Sequence, residues 1–495
     1  MAVTAIRGGW VVAWLNGRHG VLDGGTLVFE GNKIVFIGFQ DESACPRADV
    51  IIDATGKLVS PGLINLHCIA NLDLQLLKID VSREDFFSKP KTYVTGLDTP
   101  SFWTDQDFRT SADFSVATLL KSGTTTFAAV TSSVTKRWEE SNQIPYALAD
   151  ASEQMGARAW LAHYYQEACP YTETSGETGI LWDRQKAQEG LDSALEFIKF
   201  LRAKSNCVTG FLFPARTDRC SDDLLKETIK QARAFGGLHV RSHFSEYLQE
   251  YLEFKSRNPN RTMVEWLRDV GFLGPNVCLT HAVYIAGHSS TNEASGDDLQ
   301  ILADSGTSLC HCPLVIAREG VSMESFSRYI DAGINVGIGT DTFPPAMNEE
   351  MRLAALIDKV INRDRAVGST ADIYNAATVG GAKALGREDL GKLAPGAIAD
   401  ISVFNLNSLE TGPIDDPIRT FIHTATGRDC DTVIVDGRLV VSGGQVVGVD
   451  EEELARRAQE SWLKLKGGVA SWDWKGRELS EWSPPSLPLF RNKKR

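Results

Sequence analysis

The chain has 495 residues, 43% apolar and 23% charged, a balance that fits a folded globular protein rather than a disordered one. Its 64 acidic and 51 basic residues give a net charge of −13, which disfavours a nucleic-acid or anionic-membrane surface, since both need clustered Lys and Arg. The N-terminus has no basic segment followed by an apolar run, and no stretch reaches about 18 uncharged apolar residues, so neither a signal peptide nor a membrane span is expected. Nine cysteines is an odd number, and they are scattered, which predicts a cytoplasmic protein with reduced thiols. The one basic cluster, Arg491-Asn492-Lys493-Lys494-Arg495, reads as a solvated tail.

Residues 1–60 read as short strands, with 26–29 and 34–37 flanking Glu30-Gly31-Asn32-Lys33 as a hairpin. From about 58 to 390 the texture changes to apolar runs alternating with helical stretches, the pattern of parallel βα units. Eight such runs are predicted as strands: 58–67, 124–130, 158–164, 208–213, 238–243, 277–281, 307–311 and 335–341. Amphipathic segments such as 222–234 and 297–303 lie between them, and Gly123, Gly236-Gly237, Gly306 and Gly333 stop helices before strands. Short strands return at 401–404, 433–435 and 439–441, the last two around Asp436-Gly437. The prediction is an α/β chain: a distorted (β/α)8 barrel over 61–390 with a small β-sandwich domain from both chain ends, 1–60 and 391–450. Residues 451–495 start as a helix and end in an irregular tail with Pro484, Pro485 and Pro488.

Of nine histidines, five fall at or near predicted strand ends: His67, His163, His243, His281 and His311. Asp341 ends the eighth run. In a barrel those ends share one face, where active sites are built. Imidazoles with one carboxylate suit one divalent ion, Zn²⁺ first, with Fe²⁺, Co²⁺ or Mn²⁺ as alternatives. Such an ion lowers the pKa of bound water from ~15.7 to about 7. His243-Phe244-Ser245-Glu246 pairs a ligand with a proton-shuttling carboxylate three residues on, and Asp341 is read as both ligand and base.

These residues carry a resemblance. Val59-Ser60-Pro61-Gly62-Leu63-Ile64-Asn65-Leu66-His67 is similar to the first barrel strand of the amidohydrolase superfamily. The HxxE at His243, Leu279-Thr280-His281-Ala282 and Gly337-Ile338-Gly339-Thr340-Asp341 resemble its later motifs in the same order. Gly391-Lys392-Leu393-Ala394-Pro395-Gly396-Ala397-Ile398-Ala399-Asp400 resembles its return into the β domain. The branch it resembles is that of cytosine deaminase and the triazine hydrolases. The resemblance implies one metal rather than two, since no lysine follows the fourth strand at Phe211-Leu212-Phe213-Pro214. It also implies that His281 orients water and leaving group, and that the protein is a homo-oligomer acting on small molecules.

Two motifs depart from that pattern. The family's first motif is His-x-His; here it reads His67-Cys68-Ile69. Side chains two apart on a strand share a face, so Ile69 stands where the second ligand would be, and Cys68 points away. The remaining donors are His67, His243, Asp341 and His281. Either His281 joins the ligands, or the ion keeps an extra water, or the metal site is weakened. The seventh strand runs His311-Cys312-Pro313-Leu314-Val315-Ile316-Ala317-Arg318, which predicts an altered, more apolar pocket. Alternation sends Cys310 and Cys312 away from His311, against a second metal site. The segment between His67 and Phe114 carries Phe86, Phe87, Tyr93, Phe102 and Trp103, read as either a pocket wall for a flat ring or ordinary packing.

The expected function is hydrolysis of a carbon–nitrogen bond on a small cyclic or aromatic molecule, by deamination or by amide, urea or carbamate cleavage. Glu246, His281 and Asp341 are the expected catalytic residues; His67, His243, His281 and Asp341 are the expected ligands. A lyase, isomerase or decarboxylase reaction on the same barrel, or a catalytically dead binding subunit, are the alternatives that Ile69 leaves open.

Overall fold

The computed structural model describes residues 2–82, 88–96, 103–131, 137–138, 143–468, 472–488 and 490. Both chain ends enter one nine-stranded sheet. Val3–Leu15, Arg18–Glu30 and Lys33–Gly38 form an antiparallel meander, with the expected hairpin turning at Gly31. From the other end, Ile401–Asn405 pairs antiparallel with Lys57–Pro61, Val403 opposite Val59, and Cys430–Val435 and Arg438–Ser442 follow outward. Alternate side chains (Ile6, Val11, Leu27, Val59, Ile401, Ile434) bury one apolar core on this sheet.

The predicted run 58–67 is two strands. Lys57–Pro61 belongs to the terminal sheet, and Leu63–Ile69 opens the barrel. Pro61 has no N–H to continue a ladder. Gly62 lies so close to the second barrel strand that a Cβ there would sit 2.0 Å from Thr125 Oγ1. Its N–H donates to Asp400 O instead, 2.9 Å away, so the chain changes sheets here.

The barrel strands are parallel. Leu63–Ile69, Thr124–Val130, Arg158–Leu161 and Val208–Gly210 form one half; Val240–Phe244, Val277–His281, Ser308–His311 and Val336–Ile338 form the other. Bridges from Leu212 to Val240 and Arg216 to His243 join the halves on one side, and Cys68 to Asp341 closes the other. The third and fourth runs are interrupted, each resuming as a two-residue strand, Tyr164–Tyr165 beside Phe213–Pro214. These breaks are the distortion of the barrel. The helix Asp222–Ala234 matches its predicted limits because Ser221 caps its start, accepting from Leu224 N–H, and Gly236 and Gly237 follow its end with positive φ.

Barrel and sheet are pinned at the start of the third strand. Arg158, buried with Asp400, donates to both Asp400 oxygens at 2.7 and 3.1 Å and also to the half-buried Asp436 at 3.0 Å. The C-terminal helix Glu451–Gly468 lies along Asp105–Lys121, where Asp107 accepts from Ser461 and Lys464, each at 2.7 Å. Tyr93 and Trp103 pack in an aromatic cluster with Trp472 and Trp482, and Trp103 Nε1 donates to Ser461 O at 2.9 Å. Those two rings are therefore packing against the C-terminal segment, not pocket wall. Phe86, Phe87, Phe102 and the basic tail lie outside the described residues. Among the described residues no helix is long and apolar enough to cross a membrane.

Candidate active site

His67, His243 and His281 come from the first, fifth and sixth barrel strands, and Asp341 follows the eighth. The eighth strand ends at Ile338, earlier than predicted; Asp341 lies beyond it, and its N–H donates to His67 O at 2.8 Å. His67 Nε2 is 3.2 Å from His243 Nε2 and 3.4 Å from Asp341 Oδ1. His281 Nε2 is 3.9 Å from Asp341 Oδ2 and 3.9 Å from Glu246 Oε1, and its ring stacks on His243 with centroids 5.4 Å apart. The backbone turns sharply at these strand ends: Ser245, His281, Ala282 and Asp341 have φ of 47°, 77°, 48° and 52°. Non-glycine residues reach that region at a cost of about 1–2 kcal/mol each, and such strain concentrates at functional sites.

The donors fit a divalent cation. His243 Nδ1 lies 2.7 Å from Ala215 O; a carbonyl can only accept, so that nitrogen carries the proton and Nε2 presents a lone pair to the cluster. Neither ring nitrogen of His281 has a hydrogen-bond partner, although the side chain is buried. Burial pushes the pKa of His243 down to about 3 and lowers that of His67, so both rings are neutral at physiological pH, as ligation requires. Burial acts to raise the Asp341 carboxyl, but the hydrogen bond with His67 and the neighbouring His281 outweigh it and keep it ionised.

Glu246 lies beside this cluster, held by a network that the sequence did not suggest. Arg216, just past the fourth strand, donates to Glu246 Oε2 at 2.6 Å, Glu250 Oε2 at 2.8 Å and Asp218 Oδ1 at 3.1 Å. Glu250 in turn accepts from the N–H groups of Ser245 and Glu246, at 2.8 and 3.0 Å, and so holds the left-handed turn after His243. Burial alone would raise the Glu246 carboxyl; His281 and Arg216 more than offset it and hold it ionised. The one signal for Arg216 in the sequence is a basic residue close behind the fourth strand, which is weak without the fold.

The other strand-end histidines do not join the cluster. His163 Nδ1 sits 3.2 Å from Tyr164 O, after the break in the third strand. His311 is buried near Phe326, its pKa pushed down to about 3 by burial, and among the described residues it belongs to neither group of converging donors. Ile69 does not face a polar partner: with Asn71, Phe114, Phe343 and Trp462 it lines a mainly apolar cavity of about 420 Å³ flanking the first and eighth strands. Cys68 points away, its thiol 3.9 Å from Ala128 O on the second strand. Arg241, two residues before His243, is buried with its guanidinium 5.5 Å from the Phe211 ring centroid. A second, polar cavity of about 660 Å³ is lined by Arg216, Tyr247, Glu250 and Arg318.

The family model of the amidohydrolase family matches residues 58–440. A 5-methylthioadenosine/S-adenosylhomocysteine deaminase of Thermococcus onnurineus is 30% identical over 424 residues, 84% of this chain and 89% of that protein. A 5′-deoxyadenosine deaminase of Methanosarcina mazei is 28% identical over 95% of this chain and all of that protein. Among solved structures, an adenosine deaminase from Xanthomonas campestris with bound zinc superimposes with a TM-score of 0.76 at 19% identity, covering 94% of this chain and 98% of its own. A mutant atrazine chlorohydrolase from Arthrobacter aurescens with zinc and atraton gives 0.76 at 21% identity, covering 93% of this chain and 100% of its own. The chain belongs to the amidohydrolase family and is a metal-dependent hydrolase of carbon–nitrogen bonds.

Proposed function

We propose that this protein deaminates an adenine nucleoside, replacing the exocyclic amine with oxygen from water. The observation that carries the reading is the convergence, from four strand ends, of two buried donor groups that share His281: His67 and His243 with it on one side, Glu246 and Asp341 on the other. The deaminase relatives align across that whole stretch. His67, His243 and Asp341 would hold one ion, with His281 facing it from above His243; three nitrogens and a carboxylate oxygen suit Zn²⁺. When bound, the ion acidifies water and polarises the carbon under attack.

The chain's own groups supply the proton transfers. Asp341 Oδ2 accepts a proton from the attacking water. Glu246, ionised at rest, takes the second proton from the same oxygen and delivers it to the ring nitrogen beside the reacting carbon, while Asp341 returns its proton to the departing amine. His281, 3.9 Å from each carboxylate, orients the oxygen between them. The carbon–oxygen bond forms, the carbon–nitrogen bond breaks, and the amine leaves as ammonia.

The test is incubation of zinc-loaded protein with adenosine in isotopically labelled water. Ammonia release with one labelled oxygen in the purine product is expected. Product without solvent oxygen, or no turnover after loading with zinc, iron, cobalt or manganese, rejects the reading. Asp341→Ala and His243→Ala are expected to lose both bound metal and activity, measured by elemental analysis and ammonia release. The same reading includes a cytosolic homo-oligomer. All nine cysteines are free thiols, and Leu356 and Val360 expose apolar surface on the helix Met347–Asn362. Light scattering that gives a monomer mass removes the oligomer.

A further inference from the structure

The polar cavity lined by Tyr247 contains an arginine with no carboxylate partner among the described residues. Arg318 closes the short helix Pro313–Arg318 after the seventh strand. One guanidinium nitrogen, Nη1, donates to Thr342 Oγ1 at 3.0 Å and to Phe343 O at 3.2 Å. Among the described residues it makes no ion pair. The other cations on this cavity are engaged: Arg216 with three carboxylates, Arg219 with Asp218 at 2.9 Å, and Lys78 with a partner of its own. Neither of the two carboxyls that Arg318 influences, Asp73 and Glu350, forms an ion pair with it among the described residues. Burial pushes Asp73 up to about 6 and Glu350 well above the usual carboxylate range.

The position of Arg318 gives that charge a use. Thr342, which anchors it, follows Asp341 directly, and the same cavity is lined by Tyr247, which follows Glu246 directly. The cavity is thus linked to Glu246 through Tyr247, its chain neighbour, and to Asp341 through the hydrogen bond from Arg318 to Thr342. Asp80, Glu253 and Glu319 also line it; the first two are exposed, and Glu319 is half-buried with a partner of its own. An anion entering the cavity has one unpaired guanidinium to meet. With Nη1 tied down, Nε and Nη2 remain for a planar or tetrahedral oxyanion, the two-toothed contact in which arginine excels.

We propose that Arg318 is an anion subsite of the substrate pocket, binding a carboxylate or phosphate carried by the nucleoside away from its reacting ring. This rests on the nucleoside reading above. The preferred substrate is thus an acidic nucleoside derivative rather than a neutral one. A charge-assisted pair of hydrogen bonds in a partly enclosed site supplies about 1.5–3 kcal/mol, which is about a tenfold or greater preference.

The test uses the full-length zinc-loaded protein and three probes: adenosine, adenosine 5′-monophosphate and adenosine 5′-carboxylic acid. For each, kcat/KM for ammonia release and Kd by calorimetry are measured in the wild type, Arg318→Met and Arg318→Lys. The wild type is expected to favour at least one acidic probe over adenosine by about tenfold or more, and whichever is favoured identifies carboxylate or phosphate. In Arg318→Met that ratio is expected to collapse toward unity, and in Arg318→Lys to be intermediate, since lysine keeps the charge without the fork. Because the readout is a ratio within each variant, partial loss of folded protein cancels. Adenosine turned over with no preference for either acid, or a preference that survives in Arg318→Met, overturns the subsite and leaves the deaminase standing. No binding and no turnover of any of the three overturns the nucleoside reading and the subsite with it.

Discussion

Glu246 works only if its carboxylate is held where a proton is to be moved, and Arg216 is the side chain that holds it. The guanidinium grips the Glu246 carboxylate directly and, through Glu250, its backbone N–H. A misplacement of about 1 Å in a proton-transferring group can cost about a hundredfold in rate. Arg216→Met is therefore expected to lower kcat by about a hundredfold while KM and zinc content change little, because no metal donor is removed. Arg216→Lys restores a charge but not three simultaneous contacts, and should recover only part of the rate. Steady-state kinetics with metal analysis checks this, and a proportional loss of zinc would show that Arg216 supports the fold instead. Glu246→Gln separates the same two effects from the other side: zinc retained, turnover down by about 10²–10⁴-fold. Glu246 was legible in the sequence because it stands three residues after a strand-end histidine. Arg216 was not, because its contact with Glu246 spans 30 residues and is created by the bridge between the fourth and fifth strands.

The strands themselves were legible where burial is complete and uninterrupted. Thr124–Val130 and Val277–His281 occupy their predicted limits with every residue buried, since short runs so rich in apolar and small residues have no other stable place. The breaks at 62, 162–163 and 211–212 were not legible, since they depend on contacts with residues distant in the sequence. The same holds at the seam between the first and eighth strands. Gly339 approaches the first strand so closely that a Cβ would lie 2.7 Å from both His67 N and His67 O and 2.8 Å from Cys310 Sγ. Two of those three atoms are backbone and have nowhere to retreat. Gly339→Ala is expected to destabilise the protein by about 1–3 kcal/mol and, by displacing His67, to weaken zinc binding. Gly467, in the C-terminal helix with no atom within 4 Å of its own virtual Cβ, is the contrasting case. Gly467→Ala should be neutral or stabilising by up to about 1 kcal/mol. Urea unfolding and zinc titration of the two variants check both, and equal behaviour would refute the close approach.

At the scale of the whole molecule, the barrel buries titratable groups whose shifts oppose one another, and this sets the acid response of the metal-free protein. His67, His243 and His311 are all lowered from 6.5, the latter two to about 3. The unfolded chain protonates them near 6.5 and the folded one does not, so they remove stability as pH falls below 6.5. Glu250 is raised from 4.5 to about 7 and Asp73 from 3.8 to about 6, and Glu350 is raised further still, each chiefly by burial. These are protonated in the folded state first. Their contribution is complete below their unfolded values and is lost as pH rises through the folded ones, so they add stability as pH falls over the same interval. His19, His239 and His423 are lowered as well and Asp113 and Asp298 raised, so six imidazoles face five carboxyls and largely offset one another between about pH 6.5 and 4.5. Below that interval the raised acids have little more to give, the histidines still resist protonation, and Asp218, Glu246 and Asp341 stay ionised in the fold while the unfolded chain takes up protons at them. The urea midpoint of the chelated protein is therefore expected to stay nearly level from about pH 6.5 to 4.5 and to fall steeply below. A steady decline beginning near neutrality would mean that the imidazoles titrate without the opposing acids, and that the Glu250, Asp73 and Glu350 carboxyls are not held protonated in the fold.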